Sequence, residues 1–201
     1  MRLFVAALVL SASALPLAAL AKKPPQPDDA EAPKASASRT STQETTDATG
    51  IIRQEIDLDG NGRVDVINLL RDRGNGTRLA VKKEVDLNLD GRVDVQSEFD
   101  AAGALEVERM DTDFDGEFDW TDYYKDGARV LAELDSDFDG RVDTWTYYMT
   151  DGSGRTMPDR KERDTNRDGR VDVWERFDAA GNVIRVGRDT DNDGKMDERE
   201  E

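Results

Sequence analysis

The chain has no cysteine and no histidine among its 201 residues. Without histidine there is no Ser-His-Asp or Cys-His arrangement, and no ordinary zinc, copper or haem site. Without cysteine no disulfide braces the fold, and thiols say nothing about the redox compartment. Aromatic residues make up only 6% of the chain. Beyond residue 21 no apolar run reaches membrane-spanning length. Positive charge is in deficit, with 28 Lys and Arg against 45 Asp and Glu, a net of −17. Such a surface repels phosphate backbones, so nucleic acid and anionic membrane surfaces are not expected partners.

What the chain has in abundance is aspartate at fixed spacing. Six nine-residue segments, loops 1 to 6 in chain order, share one pattern. Position 1 is Asp57, Asp86, Asp111, Asp135, Asp164 and Asp189. Position 3 is Asp59, Asn88, Asp113, Asp137, Asn166 and Asp191. Position 5 is Asn61, Asp90, Asp115, Asp139, Asp168 and Asp193. Position 6 is Gly throughout, and position 9 is Asp65, Asp94, Asp119, Asp143, Asp172 and Asp197. Turn chemistry asks for Gly or Asn, not for acids at every second position. Alternate oxygen-bearing side chains around a glycine turn, with a backbone carbonyl at position 7, are what a Ca²⁺ loop requires. These 24 residues are therefore candidate ligands, for up to six Ca²⁺. Loops 3, 4 and 6 carry four carboxylates each and are expected to bind most tightly.

The charge balance agrees. Residues 51–201 hold 23 Lys and Arg against 40 Asp and Glu. Six bound Ca²⁺ would leave about −5, an ordinary value for a soluble domain.

Residues 1–21 read as a secretory signal peptide cleaved after Ala21: Arg2 starts it, Leu3 to Leu10 is apolar, and Ala19-Leu20-Ala21 is a small-x-small site. Ser11, Ser13 and Pro16 interrupt the run, which argues against a membrane anchor. No membrane span is expected after cleavage. Residues 22–50 are rich in Pro, Ser and Thr without an aromatic, which predicts a disordered linker. Residues 51–201 form the third region, a six-loop β-repeat domain. Together these features predict a secreted, periplasmic or cell-envelope protein. Asn75-Gly76-Thr77 is a formal glycosylation sequon.

The loop starts are separated by 29, 25, 24, 29 and 25 residues, a repeat period. Between loops the chain reads strand, turn, strand. Val171 to Phe177 leaves loop 5 rich in β-branched and aromatic types, Asp178-Ala179-Ala180-Gly181 turns, and Asn182 to Val186 returns. A helical EF-hand is excluded, because position 12 is Asn68, Ser97, Asp122, Thr146, Glu175 and Glu200. Four of these six lack the bidentate Glu that such a loop needs. The prediction is an all-β fold: a meander of about eleven antiparallel strands in repeated hairpins, calcium loops along one edge. A curved sheet, a barrel and a superhelix all stay open.

Position 8 (Val64, Val93, Phe118, Val142, Val171, Met196) is expected to anchor each loop exit in a packed apolar layer. With only Glu198 to Glu201 after it, loop 6 is expected to lack an exit strand and to act as a frayed cap.

The loops resemble the β-hairpin calcium loops of FG-GAP repeats in integrin-type propellers, which use the same acidic positions without a Glu at 12. They are also similar to thrombospondin type 3 repeats, Asp189 to Gly194 most closely, and to EF-hand-like loops of bacterial surface proteins. Phe177 to Val183 resembles the tyrosine-aspartate repeat of RHS proteins. The thrombospondin cysteines are missing and the loops stand too far apart for that family's spacing.

The function expected is a secreted, Ca²⁺-stabilised repeat protein with a structural or adhesive role at the surface or in the envelope. Its partner would be an envelope or extracellular protein or a polysaccharide. The alternative is a calcium-dependent glycan- or polymer-binding module using Trp145, Trp174, Tyr123 and Tyr147. No carboxylate pair in a cleft marks an enzyme.

Overall fold

The computed structural model describes residues 40–200, without the side chains of 198–200. The signal peptide and residues 22–39 of the expected linker lie outside the described residues. Thirteen strands follow one another in a single antiparallel sheet whose spatial order is the sequence order. They are β1 (Ser41–Thr46), β2 (Ile51–Asp57), β3 (Val66–Asp72), β4 (Arg78–Val85), β5 (Val95–Phe99), β6 (Leu105–Met110) and β7 (Trp120–Lys125), followed by β8 (Ala128–Leu134), β9 (Thr144–Thr150), β10 (Thr156–Arg163), β11 (Val173–Phe177), β12 (Val183–Arg188) and β13 (Glu198–Glu200). The sheet stays open, with β1 and β13 at its two margins. No described helix is long and apolar enough to cross a membrane.

Because every connection is a hairpin, connections alternate between the two ends of the strands. All six Asp-rich loops fall at one end, as expected, and the plain turns at the other. Two strands go beyond the expected eleven. β1 lies inside the segment read as a disordered linker, which moves the start of the sheet back by about ten residues. Its six residues are fully polar and exposed, so apolar burial does not hold it. Hydrogen bonds do: Gln54 Nε2 donates to Glu44 Oε1 (2.8 Å) and Asn68 Nδ2 to Gln54 Oε1 (2.9 Å), a polar row across three strands. Arg78 grips both Glu44 oxygens at 2.8 and 3.2 Å and, with Gln54, holds that carboxyl below its ordinary value. The second addition is β13, which pairs with β12. Loop 6 therefore has an exit strand and is no frayed cap.

Cross-strand register sorts one face into rows. Next to the Asp loops runs Ile56, Val66, Val85, Val95, Met110, Trp120, Leu134 and Thr144. The next row is polar: Gln54, Asn68, Lys83, Ser97, Glu108, Asp122, then Ala132. Asp122 is fully buried there with Arg129 Nη2 at 2.8 Å. Burial pushes its carboxyl up, against the opposing pull of Trp120 and Arg129. The position-8 residues do not join a packed layer as expected. Val64, Phe118 and Val142 are exposed, because no second layer stands over the loop exits. Val93, Val171 and Met196 are half-buried, and Met196 lies where a Cβ on Gly187 would stand.

Substantial packing runs only between strands adjacent in sequence. The apolar interior is correspondingly small: Ile52, Val66, Ala132, Met157 and Val173 are the buried hydrophobic residues described. Thirteen polar residues are buried beside them, and ten of those are aspartates at loop positions 1 or 9. With more aspartates than apolar residues buried among those described, the fold must compensate those charges.

Candidate metal centres

Each loop is built by its own backbone. The N–H of the position-6 glycine donates to the position-1 carboxylate in all six, at 2.7–2.9 Å. A left-handed φ lets the chain turn there, +84° at Gly140. The N–H of position 2 donates to the position-9 carboxylate in all six, at 2.6–3.0 Å. The N–H of position 7 donates to the position-5 side chain at 2.6–3.0 Å. These bonds pull alternate side chains inward, and adjacent loops are stitched edge to edge. The position-1 N–H of each of loops 2 to 6 donates to the position-9 carbonyl of the loop before it, at 2.8–2.9 Å.

In four loops, carboxylate oxygens converge to within 4.8 Å of one another: Asp57, Asp59 and Asp65; Asp111, Asp113 and Asp115; Asp135, Asp137 and Asp143; Asp189, Asp191 and Asp197. Four of the remaining twelve candidates sit on the same loops outside these triplets, and eight sit on loops 2 and 5. Asn61, Asp119, Asp139 and Asp193 belong to triplet-bearing loops. Loops 2 and 5 (Asp86, Asn88, Asp90, Asp94; Asp164, Asn166, Asp168, Asp172) have Asn at position 3, so one acid of the usual triplet is replaced by an amide.

The electrostatics follow from this geometry. Burial pushes the Asp57 and Asp135 carboxyls up, but the N–H groups converging on them outweigh it and hold both below the ordinary 3.8. Asp113 goes the other way, raised by desolvation first and then by the charges of Asp115, Asp119 and Asp111. Among the described loop carboxylates, Asp94 Oδ1 and Asp189 Oδ1 are buried without a hydrogen bond; outside the loops the same holds for both oxygens of Asp122, which is ion-paired with Arg129. A buried carboxylate oxygen with no donor fits a cation ligand. The donor set is all oxygen, which suits a hard divalent cation and not a thiolate- or imidazole-seeking one.

Sequence reasoning missed position 4. Leu89, Phe114, Phe138, Arg167 and Asn192 all have φ of 60–66°, a region that bulky side chains rarely adopt. The signal lay in loop 1, where the same position is Gly60. In comparison with known proteins, no protein-family profile, no curated protein and no solved structure matches this chain.

Proposed function

We propose that this chain is a secreted or cell-envelope calcium-binding repeat protein with a structural or adhesive role, in which calcium holds the sheet together. The observation that carries the reading is the convergence of aspartates in stacked loops, each triplet anchored by a buried position-1 Asp, in a sheet with only five buried hydrophobic residues among those described. Calcium suits the loops better than magnesium: it takes six to eight oxygens in flexible geometry, and a nine-residue loop offers side chains at four positions plus the position-7 carbonyl. Metal binding then supplies folding free energy that the small interior lacks. Outside a cell, millimolar calcium is available after export. The test is circular dichroism and thermal melting of the full chain in millimolar CaCl₂ and in EDTA. Calcium is expected to raise the melting temperature by ten degrees or more, on the order expected for several coupled sites. Identical spectra and melting curves in both buffers would end the reading.

A second reading is a calcium-dependent glycan- or polymer-binding face. What supports it is that Tyr123, Trp145, Tyr147 and Trp174 are partly exposed on the alternate strands β7, β9 and β11, and no second sheet covers them among the described residues. Arg160 already stacks on Tyr147 at 3.8 Å. Acidic polysaccharide that quenches the tryptophan fluorescence only in calcium would favour it.

A further inference from the structure

Neighbouring loops touch in two ways. In the first, the position-7 side chain of one loop leans over the next. Arg92 Nη1 donates to the Asp115 carbonyl (2.5 Å) and Arg170 Nη1 to the Asn192 carbonyl (3.2 Å). A Cβ on Gly116 would meet Arg92 at 2.8 Å. In the second, position 3 of one loop meets position 4 of the following loop. Asn166 Nδ2 donates to Asn192 Oδ1 at 2.8 Å between loops 5 and 6. Between loops 4 and 5, the Arg167 guanidinium is paired with Asp137 Oδ2.

Asp137 belongs to the converging triplet of loop 4. Elsewhere the position-3 side chain accepts the position-5 N–H, as at Asp59, Asn88, Asp113, Asn166 and Asp191. In loop 4 the Asp139 N–H goes to Asp135 at 3.2 Å, and Asp137 is paired with the guanidinium. Arg167 is committed to this pose by loop 5, where its N–H donates to Asp164 Oδ1 (2.8 Å) and its φ is 63°. A cation from one loop thus sits on a ligand of the loop before it.

We infer that Arg167 is a resident counter-ion of loop 4, which an incoming metal must displace, and that it lowers this loop's affinity relative to loop 3; loop 6 carries its own cation, Lys195 on Asp193 Oδ2 at 2.9 Å. The inference rests on the calcium reading above. Position 4 of loop 4, the residue at the corresponding offset from loop 3, is the uncharged Phe138. Loop 4 therefore fills after loop 3 despite an equal number of carboxylates. Arg167 is largely exposed and Asp137 largely covered, so the pair tunes affinity a few-fold and does not block the site. Filling loop 4 frees the guanidinium that ties loop 5 to it, which couples the two.

The test is an NMR titration of the ¹⁵N-labelled full chain with CaCl₂, following the amides of Gly116, Gly140 and Gly169. In the wild type, Gly140 is expected to reach its midpoint at higher calcium than Gly116. Arg167→Gln should lower the Gly140 midpoint roughly fivefold and leave Gly116 in place, whereas Arg167→Lys keeps the late response. Gly140 responding first, or a Gly140 midpoint unmoved by Arg167→Gln, would overturn the counter-ion while leaving calcium binding intact. If none of the three amides responds to calcium, the underlying calcium reading fails, and the counter-ion with it.

Discussion

The two ends of the sheet use the same residue for different work. At the plain-turn end a single aspartate closes each of four turns. Asp47, Asp100, Asp151 and Asp178 each accept N–H groups two and four residues on through one oxygen. Side-chain donors on Thr49, Ser153 and Asn182, with those N–H groups, hold Asp47, Asp151 and Asp178 below the ordinary carboxylate value. No second acid crowds them. At the loop end the same Asp-to-N–H bonds recur, but three or four oxygen-bearing side chains share each turn and some oxygens find no donor. Pairing differs as well. Five hairpins closed by plain turns carry a register shift, β3–β4, β5–β6, β7–β8, β9–β10 and β11–β12. The hairpins closed by Asp loops run in strict register. Bulges add twist where the turns are self-sufficient; the loop end keeps its ladder straight, which stacks one loop against the next. An aspartate that only turns the chain is finished by the backbone, and a set of aspartates that converges is not.

The largest effect that would separate the two ends comes from Asp94. Asp94→Ala leaves the Leu87 and Asn88 N–H groups, now 2.6 and 3.1 Å from its Oδ2, without their acceptor. A loss of about 2–3 kcal/mol is expected from denaturant unfolding, larger in calcium than in EDTA. Asp100→Ala at a plain turn should cost less, and equally in both buffers. If both variants respond alike to calcium, the distinction between the ends is broken.

Acid should separate Asp113 from the plain turns, whereas Asp57, Asp135 and Asp197 in other loops are depressed like the turn aspartates. Asp113 has a raised folded pKa, so its contribution is full below about 3.8 and is lost as pH rises through the higher folded value. Asp47, Asp151 and Asp178 are depressed, so theirs is present above 3.8 and lost as pH falls through their lower folded values. In EDTA, falling pH therefore relieves loop 3 before it weakens the plain turns. Asp113→Asn should raise the melting temperature in EDTA at pH 7 and lower it in calcium. A shift of the same sign in both buffers would contradict the metal role of that side chain.

The smallest effect concerns the strained fourth position. Phe138 is nearly half exposed at φ 60°. Phe138→Asn should stabilise the fold by about 1 kcal/mol, read from a melt in calcium. Destabilisation instead would show that the ring makes a contact worth more than the backbone strain.

Most of this organisation was legible in the sequence. Six Asp-x-(Asp/Asn)-x-(Asp/Asn)-Gly loops, with period-two flanks between them, dictated a β meander with its loops on one side, since every connection is short. Three features were not. β1 is polar throughout, and composition rules cannot see a strand held by Glu44, Gln54 and Asn68 bonding across it. The position-8 residues read as apolar anchors because alternation places them on a face, but alternation does not say whether a second layer covers that face. The Arg167–Asp137 pair depends on loops 4 and 5 being stitched at a fixed offset, a consequence of register and not of spacing along the chain.

The central claim is that these loops are cation sites and not merely acidic turns. Calorimetric titration of the metal-free full chain with CaCl₂ tests it most directly. Saturable uptake of at least four ions per chain, one for each converging triplet, is the result this account predicts. No heat of binding up to millimolar calcium, from a chain already folded in EDTA, would contradict it.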